Sequence, residues 1–219
     1  MSSDFSCILF DLDGTIVDSA PGITATLAYT FEQLGLPVPS AAELVAYVGP
    51  PLLDSFRERA GFSAEGAQEA LAIYRGEYLR TGVFNATLYP GVLEVLDAIH
   101  RSDIPLSLAT SKPEFPAKLI LEHFKLLSFF DVVTGASDDE VRSAKADVVA
   151  EALDRLVAFG SDITRPVLVG DRHHDVLGAA EHDVPTVFVR WGYGAPAEEV
   201  GSIAVVDTPA QLQRRLLGG

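Results

Sequence analysis

Cys7-Ile8-Leu9-Phe10-Asp11-Leu12-Asp13-Gly14-Thr15 is the stretch on which the fold turns. A short apolar run ends in two aspartates one residue apart, followed by Gly-Thr. The unbroken apolar run reads as a strand buried on both faces of a parallel sheet. On a regular strand, residues i and i+2 point to the same side, which crowds the two carboxylates. The glycine that follows marks a sharp turn, where that regularity can bend. Two crowded carboxylates repel, and one protonates unless a cation neutralises them. A bound metal or catalytic chemistry explains such a pair. A strand end with a helix-capping aspartate is the bland alternative, and the full context of strand, D-x-D and G-T weighs against it.

Asp11-Leu12-Asp13-Gly14-Thr15 resembles the first motif of the haloacid dehalogenase superfamily, D-x-D-G-[TV]. That superfamily is mostly Mg²⁺-dependent phosphatases. The resemblance implies that Asp11 is a nucleophile that becomes an aspartyl-phosphate and a Mg²⁺ ligand. It implies that Asp13 is a general acid/base with its backbone carbonyl on the metal.

Three further motifs extend the resemblance. Leu108-Ala109-Thr110-Ser111-Lys112-Pro113 reads as a strand ending in a hydroxyl before a helix. Such a hydroxyl can donate to a phosphate oxygen, and helix N-terminal amides favour an anion. The family pattern puts Thr110 in that role, with the Ser111 backbone N–H and Lys112 beside the substrate. The third motif is a lysine near a helix start, which stabilises the nucleophile and the transferring phosphoryl group. Many relatives carry K-P-x-P here. This chain reads Val141-Arg142-Ser143-Ala144-Lys145-Ala146-Asp147-Val148, so Lys145 takes the role by resemblance and Arg142 is the alternative. The fourth motif, Val167-Leu168-Val169-Gly170-Asp171-Arg172-His173-His174-Asp175, is an apolar strand ending in G-D-x-x-x-D. It implies Asp171 as a direct Mg²⁺ ligand, with Asp175 binding through water or positioning a ligand. Hard carboxylate oxygens suit Mg²⁺. Adjacent histidines on an incipient helix diverge, so His173 and His174 are expected at the site rim or facing solvent. Trp191-Gly192-Tyr193-Gly194 resembles a stretch of phosphoglycolate phosphatase-like and 5′-nucleotidase-like relatives, although such a loop can equally be structural.

Charge constrains the partners. The 219 residues carry a formal net charge of −15 and a pI near 4.6. That argues against nucleic-acid backbones and anionic membranes as partners. It also poses a problem for a phosphatase, since a phosphate ester must enter a negative field. The chain has only four lysines, Lys112, Lys118, Lys125 and Lys145, so their placement carries information. No apolar run approaches a membrane span and no signal peptide is visible. The single cysteine, Cys7, cannot form an internal disulfide and reads as a small core residue. A cytoplasmic location is the default expectation.

Strand candidates at 5–10, 105–110, 130–134, 166–169 and 186–190 alternate with helical patterns at 91–101, 113–124, 144–159 and 175–181. A short edge strand at 203–206 and a closing helix at 209–217 follow. This alternation predicts parallel βαβ units with right-handed crossovers. The interval from 18 to 85 is too long for one crossover and reads as helices only. They lie at 20–34, after a capping box at Ser40-Ala41-Ala42-Glu43, at 52–60 and at 64–79. The expected fold class is α/β. A Rossmann-like parallel sheet forms the catalytic core (1–17 and 86–219), with an inserted four-helix cap (18–85) and hinges near 16–18 and 85–90.

The resemblance implies a Mg²⁺-dependent hydrolase of a small phosphorylated metabolite, phosphoglycolate or a 5′-nucleotide being the candidates. Arg57 is expected on an anionic substrate tail. The dehalogenases of the superfamily lack the second aspartate, so Asp13 argues against that chemistry. Phosphonatases use a cap lysine, and this cap has none. A sugar phosphomutase needs cationic cap groups; the turn Val48-Gly49-Pro50-Pro51 has no charge, although Arg57 and Arg59 lie within reach of the same helix, so a mutase is disfavoured. A catalytically idle binding or signalling domain is the reading from a different class. A monomer is expected from the self-covered site.

Overall fold

The computed structural model describes residues 4–139 and 141–218. In chain order, β1 (Cys7–Phe10) leads through β2 (Val17–Asp18) into four helices: α1 (Ala20–Gln33), α2 (Ala41–Val45), α3 (Leu52–Glu58) and α4 (Ala64–Glu77). A π-helical turn (Tyr78–Gly82) and β3 (Thr87–Leu88) return the chain to α5 (Val92–His100), β4 (Leu106–Pro113) and α6 (Glu114–His123). Then come β5 (Val132–Ala136), α7 (Lys145–Phe159), β6 (Pro166–Gly170), α8 (His173–Ala180), β7 (Thr186–Val189), β8 (Ala204–Val206) and α9 (Pro209–Leu217).

Six strands form one parallel sheet in the order β5-β4-β1-β6-β7-β8. The first strand therefore lies between β4 and β6, where the winding reverses. In such sheets a crevice opens at the carboxyl ends of the strands at that point. The residues of β1 explain why its apolar run is unbroken. Ile8 and Phe10 enter the large core on one face. Cys7 and Leu9 enter a smaller core on the other, with Val148, Val149, Ala152 and Leu156 of α7. A strand covered on both sides alternates faces, yet each face is apolar.

The insertion is built on an aromatic cluster. Ile23, Leu27 and Phe31 recur at helical spacing on α1 and are buried. The Phe31 ring meets those of Tyr47, Phe56 and Phe62 at 6.4, 6.5 and 5.9 Å. The capping box opening α2 is formed: the Ser40 N–H donates to Glu43 Oε2 at 2.8 Å, and the Glu43 N–H to Ser40 Oγ at 3.4 Å.

Three boundaries differ from the sequence expectation. β4 runs past Thr110 to Pro113, because Pro113 pairs with Ala136 after a register shift. α8 starts at His173 rather than at 175, because the Asp175 carboxylate accepts the Arg172 N–H and caps the helix from its first turn. The chain also makes an antiparallel pairing of Val17 with Leu88 and Asp18 with Thr87 where it leaves and re-enters the sheet region.

Candidate active site

Backbone bonds set the first motif at the crevice. The Asp11 N–H donates to Val169 O at 2.9 Å, so the ladder with β6 continues one residue beyond β1. The Leu12 carbonyl then accepts the N–H groups of Thr15, Ile16 and Val17 in a tight turn. Gly14 is required there on two counts. Its φ is +87°, and a Cβ would stand 2.2 Å from Asp171 Oδ2.

The two aspartates diverge to different lysines. Asp11 Oδ1 accepts Lys145 Nζ at 2.5 Å, while Asp13 Oδ2 accepts Lys112 Nζ at 2.8 Å. Lys145 is the first residue of α7, and its stem lies against Gly178 of α8. Its ammonium also reaches Asp175 Oδ1 at 2.8 Å and Ala109 O at 2.9 Å, which uses all three donors. Lys112 comes from the extended end of β4, with its ammonium 4.9 Å from the Tyr78 ring centroid. Burial works against the charge on both lysines, but Asp13 and then Tyr78 at Lys112, and Asp11 and Asp175 at Lys145, outweigh it and raise both above the ordinary lysine range.

Asp171 follows β6 directly, and Asp175 lies in the first turn of α8. Asp175 Oδ2 accepts the N–H groups of Asp171 and Arg172 at 3.1 and 3.0 Å. Asp171 Oδ2 accepts the Tyr193 N–H at 2.6 Å, and its Oδ1 the Thr15 hydroxyl at 3.4 Å. Asp11, Asp171 and Asp175 each present an oxygen within 4.8 Å of the others. Burial, despite Lys145, pushes the Asp11 carboxyl up to about 6. Burial and then the Asp175 charge drive Asp171 well above its ordinary value. Crowded anions of this kind call for a further cation. The donor set is hard oxygen throughout, and one Asp13 oxygen is buried with no hydrogen-bond partner among the described residues. These groups fit a divalent ion such as Mg²⁺.

Thr110 is buried beside them and accepts the Lys112 N–H on its hydroxyl at 3.3 Å. Ser111 and Lys112 line an adjoining cavity of about 320 Å³ that also reaches Asp13. Arg57 is exposed on α3 and is not on that wall; the arginine there is Arg75 of α4. Arg142 pairs with Glu114 and Glu151 at 3.9 and 3.8 Å, whereas Lys145 meets Asp11. His173 Nδ1 lies 2.8 Å from Glu198 Oε2. His174 is held down to about 4, chiefly by burial and then by His173 and Arg172.

Sequence reasoning missed several neighbours. Trp191 Nε1 donates to Thr15 O at 3.0 Å. The Tyr193 hydroxyl accepts the N–H groups of Ser19 and Ala20 at 2.8 and 3.0 Å and donates to Asp18 Oδ1 at 2.8 Å. Arg172 donates to Val48 O at 2.6 Å and to Glu198 Oε2 at 2.9 Å. The W-G-Y-G loop was the only local signal for any of these.

Comparison with known proteins identifies the family. Residues 8–189 match the model of the haloacid dehalogenase-like hydrolases. The tyrosine-protein kinase PtkA of Mycobacterium tuberculosis is 41% identical over 187 residues, covering 85% of this chain. The aligned region spans 62% of that relative's own length. A 5′-nucleotidase of Pseudomonas aeruginosa is 35% identical over 191 residues, 87% of this chain and 85% of that one. The solved structure of a predicted phosphatase from Clostridium acetobutylicum is 34% identical and superposes with a TM-score of 0.90. It covers 96% of this chain and 97% of its own. With four motifs gathered at one crevice and a family match over most of its length, the chain belongs to the haloacid dehalogenase-like hydrolases.

Proposed function

We propose that the protein is a Mg²⁺-dependent hydrolase of small phosphomonoesters, working through an aspartyl-phosphate. One observation carries the reading: Asp11, at the end of the central strand, holds Lys145 on one oxygen and shares a metal-competent cluster with Asp171 and Asp175. In this reading residues 18–85 act as a cap over a catalytic core formed by 1–17 and 86–219.

Asp11 attacks phosphorus in line with the leaving oxygen and forms a covalent acyl phosphate. Asp13 gives a proton to the departing alkoxide and later takes one from the water that hydrolyses the intermediate. Lys112, bonded to Asp13, holds that carboxyl in place between the two transfers. Lys145 offsets charge on Asp11 and on the transferring group, and the Thr110 hydroxyl donates to a phosphoryl oxygen. Asp11, Asp171, Asp175 and the Asp13 carbonyl would hold Mg²⁺, which would supply positive charge to the phosphoryl oxygens. The two lysines and the ion would offset the four site carboxylates at the point where a phosphate ester enters a strongly negative molecule.

The test is hydrolysis of p-nitrophenyl phosphate with Mg²⁺. Asp11→Asn is expected to lower kcat by ~10³-fold or more with unchanged circular dichroism. Activity that persists in this variant, or that ignores chelation, overturns the mechanism.

A second reading follows from the 41% identical relative named as a tyrosine kinase. The same nucleophile and cluster suit phosphoryl transfer from ATP to a tyrosine hydroxyl. Incubation with radiolabelled ATP and a tyrosine-containing peptide separates the two. Label on the peptide favours transfer, and free phosphate alone favours hydrolysis.

A further inference from the structure

The cavity beside Asp13 has a wall that phosphoryl chemistry alone leaves unexplained. Tyr47, Leu52, Leu71, Tyr74, Tyr78 and Phe115 line its roughly 320 Å³ together with Asp13 and Lys112. That is on the order of ten water volumes, far more than a two-carbon acid fills. Ligand sites of this size and apolar lining bury a sizeable organic body. The rings of Tyr74 and Tyr78 are nearly parallel, 12° apart with centroids at 5.4 Å. The Tyr78 side chain is buried, 4% exposed, with the Lys112 ammonium 4.9 Å from its ring centroid. Of the cations on the wall, Lys112 is bonded to Asp13, and Arg75 donates to the Asp138 carbonyl at 3.2 Å. A second carboxylate on the substrate would be desolvated against mostly apolar groups.

We infer that the leaving group of the substrate carries an aromatic ring, which packs against the Tyr74 and Tyr78 side of the cavity. This rests on the hydrolase reading and sharpens it. Phosphoglycolate and plain sugar phosphates lack the ring, whereas a nucleoside monophosphate or a benzylic or aryl ester has it. Aromatic contacts with offset or edge geometry reward such a ring beyond the area it buries.

The experiment uses the full chain with Mg²⁺ and four esters: benzyl phosphate, adenosine 5′-monophosphate, phosphoglycolate and ribose 5-phosphate. All four leave as alkoxides, so leaving-group acidity does not imitate a ring preference. At least one ring-bearing ester is expected to exceed both others in kcat/KM by tenfold or more, and the better of the two identifies a phenyl or a nucleobase. Tyr74→Ala is expected to narrow that ratio at least fivefold. Binding by calorimetry to Asp11→Asn supplies a readout that needs no turnover: the preferred ring ester is expected to bind at least tenfold tighter than phosphoglycolate. Equal or tighter binding and turnover of phosphoglycolate overturns the inference while leaving the hydrolase reading intact. Ring-selective binding without turnover of any ester in the unmutated protein overturns the hydrolase reading alone.

Discussion

Gly14 shows how closely single positions are specified. Any side chain there must adopt φ +87° and also push the Asp171 carboxylate away from a contact of 2.2 Å. Backbone strain of this kind costs on the order of 1–3 kcal/mol for a non-glycine residue. The displacement falls on one of three residues that converge for a cation. Gly14→Ala is therefore expected to weaken Mg²⁺ binding about tenfold or more, measured by calorimetry, and to lower the urea midpoint. An unchanged Mg²⁺ affinity would mean that Asp171 does not hold the ion. The glycine was readable in the sequence as a turn after D-x-D, but its second function was not. That function depends on Asp171, 157 positions away in the chain, and no local pattern records such a contact. The lysines were half readable. Their scarcity marked Lys112 and Lys145, and Lys145 does meet Asp11. The pairing of Lys112 with Asp13 could not be foreseen, because it follows from β4 extending three residues past Thr110.

The loop after β7 links elements that are far apart in sequence. Through its backbone N–H, Tyr193 holds Asp171; through its hydroxyl it holds Ser19, Ala20 and Asp18, where α1 begins. One residue thus ties the acidic cluster to the root of the helical insertion. Its two ends can be separated by substitution. Tyr193→Phe removes the hydroxyl and leaves the bond to Asp171, because that bond comes from the main chain. Loss of a partly buried hydroxyl that serves three polar groups is expected to destabilise the fold by about 1–3 kcal/mol, read from urea unfolding. Mg²⁺ affinity is expected to stay within about twofold. A large loss of Mg²⁺ affinity would show that the helix root and the cluster are coupled through the hydroxyl. At this level the sequence was informative about element order: alternating strand and helix patterns, and an interval too long for one crossover. It was poor on which loop meets which helix, since Tyr193 and Ser19 are 174 positions apart.

Across the whole molecule, the central strand is the segment most enclosed by the rest. Cys7 lies in it with no solvent exposure, between β4 and β6 and beneath α7. Burial is the main reason that its thiol is pushed from an ordinary 9.0 up to about 11; a bond with Ser6 opposes the rise and Asp162 adds to it. The sign for stability follows. Above pH 9 the unfolded chain loses the thiol proton while the folded chain keeps it, so the unfolded state binds fewer protons and stability falls. The loss begins near pH 9 and is complete near pH 11. Two units correspond to on the order of 2–3 kcal/mol. Other groups also titrate there, so the informative quantity is the difference from Cys7→Ala. Urea unfolding of both proteins at pH 8 and pH 10.5 is expected to show the wild type losing its advantage at the higher pH. A constant difference would mean that the thiol ionises as freely in the fold as outside it. A thiol reagent at pH 8 supplies the kinetic counterpart. The strand has no exposed edge, so Cys7 is expected to react only at the rate of global opening, slowing in step with any ligand that stabilises the closed fold. Mg²⁺ together with orthovanadate is the probe of choice, because it loads the acidic cluster without turnover. Labelling that is fast and indifferent to these ligands would place the opening in β1 itself and contradict its position at the centre of the sheet.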